Sequence, residues 1–89
     1  MLVFYDFETT GLNQFHDRIT EMSFVKNDNS NYTTLVNPQV KIPPFITKLT
    51  KISNDMVIGK PTFKETLPGM YNFLSNNGEQ MYLVAHNSD

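Results

Sequence analysis

The chain has 89 residues, no cysteine and a formal net charge of −2. That length holds one domain at most, with a modest core. The missing cysteines exclude disulfides and thiolate metal sites and fit a reducing compartment. The slight negative charge argues against non-specific duplex binding through a basic face, and leaves narrower contacts with nucleic acid open. No run reaches transmembrane length, and Met1 leads straight into an apolar run, so the expectation is a soluble, cytoplasmic protein with no signal peptide and no membrane partner.

Leu2-Val3-Phe4-Tyr5-Asp6-Phe7-Glu8 reads as a strand. Alternation puts Val3, Tyr5 and Phe7 in one row and Leu2, Phe4, Asp6 and Glu8 in the other. Apolar residues on both faces predict a strand interior to a sheet. Two carboxylates side by side repel each other, and burying them is costly unless they are paired or coordinate a metal. Their oxygens suit magnesium, manganese or calcium. Asp-x-Glu alone also occurs on solvated strand ends. The aromatic neighbours and the following Thr9-Thr10-Gly11 favour a site, with Gly11 supplying a permissive backbone for the turn.

Residues 13–17 read as a polar connection, in which His16 is given no role. Ile19–Lys26 reads as a second strand, with Ile19, Glu21, Ser23 and Val25 on one face and Met22 and Phe24 on the other. Glu21 fits a satisfied buried carboxylate or a solvated one and stays outside the catalytic set. The Asn- and Ser-rich stretch 27–31 predicts a turn joining it, as an antiparallel hairpin, to a third strand over 31–36. Asn37-Pro38 ends that strand. Pro43-Pro44 followed by Phe45, Ile46 and Leu49 predicts a short helix, and Ser53 caps another turn with Met56 and Val57 inward. The best helix covers 62–76. Thr62 and Glu65 have capping-box spacing, and Phe63, Leu67, Met70, Tyr71 and Leu74 form an apolar stripe with Phe73 beside it. Pro68 predicts a kink or a late start. Residues 80–85 read as a fourth strand, parallel to the first and next to it, since a long helical crossover precedes it.

Asp6-Phe7-Glu8-Thr9-Thr10-Gly11-Leu12 closely resembles the first motif of the DEDD (DnaQ-like) 3'-5' exonucleases. Asp17-Arg18-Ile19-Thr20-Glu21, Leu35-Val36-Asn37-Pro38, the segment from Ile42 to Thr50, and Val84-Ala85-His86-Asn87 resemble further family segments in the same order. The resemblance implies an α/β, ribonuclease H-like mixed sheet of three antiparallel strands and a parallel fourth, with helices. It implies metal-dependent removal of nucleotides from a single-stranded DNA 3' end, RNA being the other polymer to consider, in a proofreading setting with a DNA polymerase as partner. Asp6 and Glu8 would be catalytic carboxylates holding two divalent cations, Mg2+ or Mn2+; the expectation that Asp6 is the bridge between them rests on its being the more buried of the pair. Thr9, Thr10, Gly11 and Leu12 would contact the terminal nucleotide, Leu12 wedging against a base, while His86 and Asn87 border the substrate. Turn capping is the plain alternative for the threonines.

Family members usually carry glycine where Lys51 stands. In the family, Ala-His-Asn is followed by two variable residues, an apolar residue and then the ligand aspartate, so Ser88 and Asp89 occupy the variable places and Asp89 is not that aspartate. The third motif, with its general base, is absent as well. Residues 1–89 are therefore expected to be the N-terminal part of a single exonuclease domain, incomplete at its C-terminus. Alone it should have little or no nuclease activity, and an open sheet edge should favour self-association. The competing expectation is a non-catalytic module of the same fold that binds nucleic-acid ends or a partner.

Overall fold

The structure is a computed structural model that describes residues 1–11, 17–75 and 78–85. Among these residues seven elements follow one another: β1 (Leu2–Thr9), β2 (Ile19–Lys26), β3 (Asn31–Leu35), α1 (Pro44–Thr50), α2 (Asn54–Val57), α3 (Phe63–Leu74) and β4 (Tyr82–Ala85). The sheet runs β3-β2-β1-β4. β1–β2 and β2–β3 are antiparallel, whereas β4 lies parallel to β1 with Ala85 opposite Tyr5. β1 is thus interior, and the mixed α/β sheet has the ribonuclease H-like form that the motifs implied.

The β2–β3 turn works as its composition dictates. Asn29 takes φ 74°, and Asp28 accepts from the Ser30 backbone N–H and hydroxyl. Those two bonds hold the Asp28 carboxyl below its ordinary range.

The inner face carries the core. Val3, Met22, Phe24 and Val36 are buried, and Tyr5, Tyr32, Met70, Phe73 and Leu74 pack against them. Phe7 meets Phe24 edge-on at 5.8 Å, and the Lys26 ammonium sits 4.3 Å from the Phe73 ring centroid. Ile19 joins this inner cluster and not the Glu21 row. The reason is a β-bulge: Glu8 pairs with Glu21 and Thr9 with Ile19, so Thr20 is an extra residue that breaks the alternation.

α3 begins at Phe63, ahead of Pro68. Its capping box holds that start: the Thr62 side chain accepts from the Glu65 N–H, and Glu65 accepts from the Thr62 N–H at 2.9 Å. The expected apolar stripe is only partly right. Met70, Phe73 and Leu74 face the sheet and Thr66 is buried, while Phe63, Leu67 and Tyr71 are exposed. Helix position, set by the cap and by the close approach of Gly69 to Tyr32, overrides the sum of hydrophobicity along one stripe.

A second small cluster, Ile42, Ile46, Ile52 and Val57 with Leu35 beside it, holds α1 and α2. The Asn54 amide ties this corner by accepting from the Ile42 N–H at 2.8 Å and donating to the Ile42 carbonyl. Met56 is exposed, contrary to expectation; its sulfur lies 3.4 Å from the Ser53 nitrogen and accepts that N–H at the helix start.

α1 ends at Lys51 in the left-handed conformation, φ 66° and ψ 16°, with its N–H bonded to the Thr47 carbonyl. Lysine carries a Cβ penalty there that glycine escapes. A Lys51→Gly variant is therefore expected to be more stable by about 1 kcal/mol in a urea titration, with an unchanged m-value.

Among the described residues nothing covers the outer face of the sheet, which the two-sided apolar pattern of β1 did not foretell. Leu2 pairs with Tyr82, and Phe4 with both Val25 and Val84, so these five side chains share one face. All are exposed, Phe4 at 42%. Among the described residues no helix is long and apolar enough to cross a membrane.

Candidate active site

Asp6 and Glu8 stand on this outer face, at the far end of β1 from Leu2. They share it because they are two residues apart in a strand, while the Tyr5 and Phe7 rings on the opposite row meet at a tilt, 5.4 Å apart. Across the ladder Asp6 faces Ser23, and Glu8 faces Glu21. Directly opposed residues lie on one face, so a third carboxylate borders the pair. The Ser23 hydroxyl is 3.0 Å from that of Thr33, which continues the polar strip across β2 and β3.

Both carboxylates of the pair are half-buried. The Glu8 carboxyl is pushed above its ordinary value of 4.5, first by burial, then by the charge of Asp6, then by that of Glu21. Among the described residues no group of three His, Cys, Asp or Glu side chains is arranged to hold a metal ion. Glu21 thus acts on Glu8 through its charge and, among the described residues, does not complete a cage. The sequence placed Glu21 on the right face but offered no means of seeing that the bulge register sets it opposite Glu8.

Beyond Glu8 the bulge and the turn shape the end of the strand. The Thr9 hydroxyl donates to the Gly11 carbonyl. Thr10 is 3% exposed, and its hydroxyl donates to Asp17 Oδ1 at 3.0 Å while accepting the Arg18 N–H at 3.0 Å. The Thr10 N–H donates to the Arg18 carbonyl at 2.8 Å. Thr10 therefore turns its polar groups into the fold, as turn capping requires. Gly11 does not take a positive φ; the described glycines that do are Gly59 and Gly78. Its lack of a side chain matters for space: a Cβ there would lie 2.6 Å from Asp17 Oδ2. Asp17, which the sequence left in a polar connection, is the residue that this region is built against. Its signal was hidden, because the bond spans seven residues between two loop positions.

Leu12, His86 and Asn87 lie outside the described residues. β4 ends at Ala85, which pairs with Tyr5, the residue before Asp6. The strand that carries the Ala85-His86-Asn87 sequence therefore ends beside the acid-bearing part of β1.

A family model described as Exonuclease (RNase_T) matches residues 3–89. The chain belongs to this exonuclease family. It is 41% identical over 90 residues to a PolC-type DNA polymerase III of Clostridium perfringens, a match spanning 97% of this chain and 6% of that protein. It is 36% identical over 89 residues to the DNA polymerase III subunit epsilon of Treponema pallidum, spanning 96% of this chain and 40% of the subunit. The chain thus spans well under half of the length of either relative. Among solved structures, Exonuclease X in complex with 5' overhanging duplex DNA matches with a TM-score of 0.72 and 27% identity, over 97% of this chain and 48% of that one. The nuclease domain of 3'hExo shares the fold, with a TM-score of 0.80 at 20% identity, over 94% of this chain and 50% of that one.

Proposed function

We propose that this chain is the N-terminal part of a metal-dependent 3'-5' exonuclease domain of the proofreading type. One observation carries the reading: Asp6 and Glu8 stand side by side on the open face of the central strand, in a region that matches the exonuclease family from end to end. Like charges placed together, with one of them partly desolvated, are the arrangement that binding a cation relieves. The hard oxygen donors fit a divalent ion, the class of cofactor this family uses. We assign Asp6 and Glu8 as ligands of two such ions, Mg2+ or Mn2+. Bound there, the ions would supply Lewis acidity and offset the negative charge of a phosphodiester.

The chain's own residues do the rest of the positioning. Asp6 and Glu8 fix where the phosphate meets the sheet. The 9–12 turn borders the terminal nucleotide, Thr9 and Gly11 through their backbone and Leu12 as a wedge against a base. Thr10, with its hydroxyl engaged inside the fold, shapes the turn from below. His86 and Asn87, next in sequence after β4, are assigned to the border of the substrate. None of these groups reads a base edge, so hydrolysis is sequence-tolerant. A single-stranded DNA 3' end is the substrate we assign, in keeping with the DNA polymerase III relatives. A DNA polymerase is the partner class, and a cytoplasmic setting goes with it.

The test is an assay on the complete domain carrying this chain, with DNA and RNA oligonucleotides labelled at either end and Mg2+ or Mn2+ present. Stepwise shortening from the 3' end that disappears in Asp6→Ala supports the reading; no shortening of either polymer overturns it. The 89-residue chain alone should be inactive in the same assay. Its bare outer face and the exposed edge strand β4 support self-association. Sedimentation velocity over a range of concentrations should show a species heavier than the monomer, whereas a monomer throughout would exclude it.

A further inference from the structure

Thr10 and Gly11 are held by a feature that the metal-binding pair does not explain. β1 ends at Thr9, and Asp17 lies against the two residues that follow it, Thr10 and Gly11. Hydrogen bonds join the two places: Thr10 Oγ1 to Asp17 Oδ1, Arg18 N to Thr10 Oγ1, and Thr10 N to the Arg18 carbonyl. The Asp17 carboxylate also lies flat against Gly11, with Oδ2, Cγ and Oδ1 all within 2.9 Å of where a Cβ would stand. The Asp17 carboxylate fills the space that a side chain at position 11 would need, so it packs directly on the backbone there. It does so within three residues of Glu8.

We propose that Asp17 is a positioning residue for the substrate-binding turn: by clamping Thr10 and Gly11 it sets the path of the backbone that meets the 3'-terminal nucleotide. The inference rests on the exonuclease reading given above and deepens it. Asp17 does not reach the nucleotide itself. It acts through Thr10, whose hydroxyl it orients, and through the space it leaves for Gly11. At Thr10 the property used is an acceptor oxygen of the right size. Asparagine keeps the oxygen and the size; alanine keeps neither.

The experiment compares wild type, Asp17→Asn, Asp17→Ala and Gly11→Ala in the complete exonuclease domain carrying this chain. Steady-state kinetics on a 3'-labelled single-stranded DNA oligonucleotide are read together with Mn2+ affinity by electron paramagnetic resonance. Asp17→Ala should raise KM roughly tenfold with kcat changed less than about twofold, the signature of lost binding in ground and transition state alike. Asp17→Asn should stay near wild type, and all variants should bind Mn2+ as wild type does. Gly11→Ala displaces Asp17 without removing it, so it should raise KM in the same direction even where Asp17→Ala does not fold. Equal impairment in Asp17→Asn and Asp17→Ala, a fall confined to kcat, weakened Mn2+ binding, or an unchanged KM in both Asp17→Ala and Gly11→Ala would each overturn the inference. An inactive wild type would instead remove the exonuclease reading, and this inference with it.

Discussion

An Asp6→Ala variant is expected to bind Mn2+ at least roughly a hundredfold more weakly than wild type, since even outer partners of metal ligands cost 10–100-fold when removed. In the complete domain its rate of 3'-end hydrolysis should fall on the order of 10²–10³-fold or further, the scale of losing one main stabiliser of transition-state charge. The same substitution should not lower the melting temperature in the presence of a chelator. Asp6 is one of the charges that push up the Glu8 carboxyl, so removing it relieves repulsion within the pair. That combination separates a site residue from a structural one. A buried structural aspartate would give a less stable protein, whereas a residue kept for its cation gives a weaker binder that is no less stable. Unchanged Mn2+ affinity in Asp6→Ala would detach the pair from metal altogether.

Much of this fold was legible because period-two alternation is a direct image of a sheet. The rows Val3-Tyr5-Phe7 and Leu2-Phe4-Asp6-Glu8 were written in the sequence, as were the boundaries of β2, the Asn-rich turn and the Thr62–Glu65 cap. Crossover length placed β4 parallel to β1. What escaped depended on how elements meet. The apolar outer residues Leu2 and Phe4 imply a covering layer, and no periodicity tells whether that layer lies within the same 89 residues. The α3 stripe was misjudged because Tyr71 and Leu67 are as apolar in pattern as Met70, and only the docking of the helix selects between them. The bulge at Thr20 adds one residue to the ladder, which no composition rule anticipates. Asp6 and Glu8 were recognisable as chemistry because like charges in an aromatic strand call for a cause. Asp17 was not, because an aspartate in a polar connection already has a sufficient explanation in solvent.

Replacing Glu8 with glutamine should make the chain more stable at neutral pH and leave it unchanged in acid. In the folded chain the Glu8 carboxyl sits above its ordinary 4.5 through burial, Asp6 and Glu21. Between 4.5 and that raised value the folded state holds more protons than the unfolded state, so stability falls as pH rises through this window. Above it Glu8 is ionised in both states, and the folded chain carries the full cost of a partly desolvated charge beside two others. Glutamine has no such charge. The wild-type and Glu8→Gln melting curves should therefore coincide below the ordinary value and separate above it, with the variant higher. A divalent cation should invert the order. At ten times its dissociation constant a ligand of the folded state adds about 1.4 kcal/mol, and the wild type gains this while Glu8→Gln gains little. Because protons and cations compete for the same oxygens, Mn2+ affinity should also strengthen with pH through the Glu8 transition. Differential scanning calorimetry of both proteins in acid and at neutral pH, with and without Mg2+, checks every arm. Coincident curves at neutral pH, or equal stabilisation of both proteins by Mg2+, would show that Glu8 neither carries the repulsion nor serves the cation.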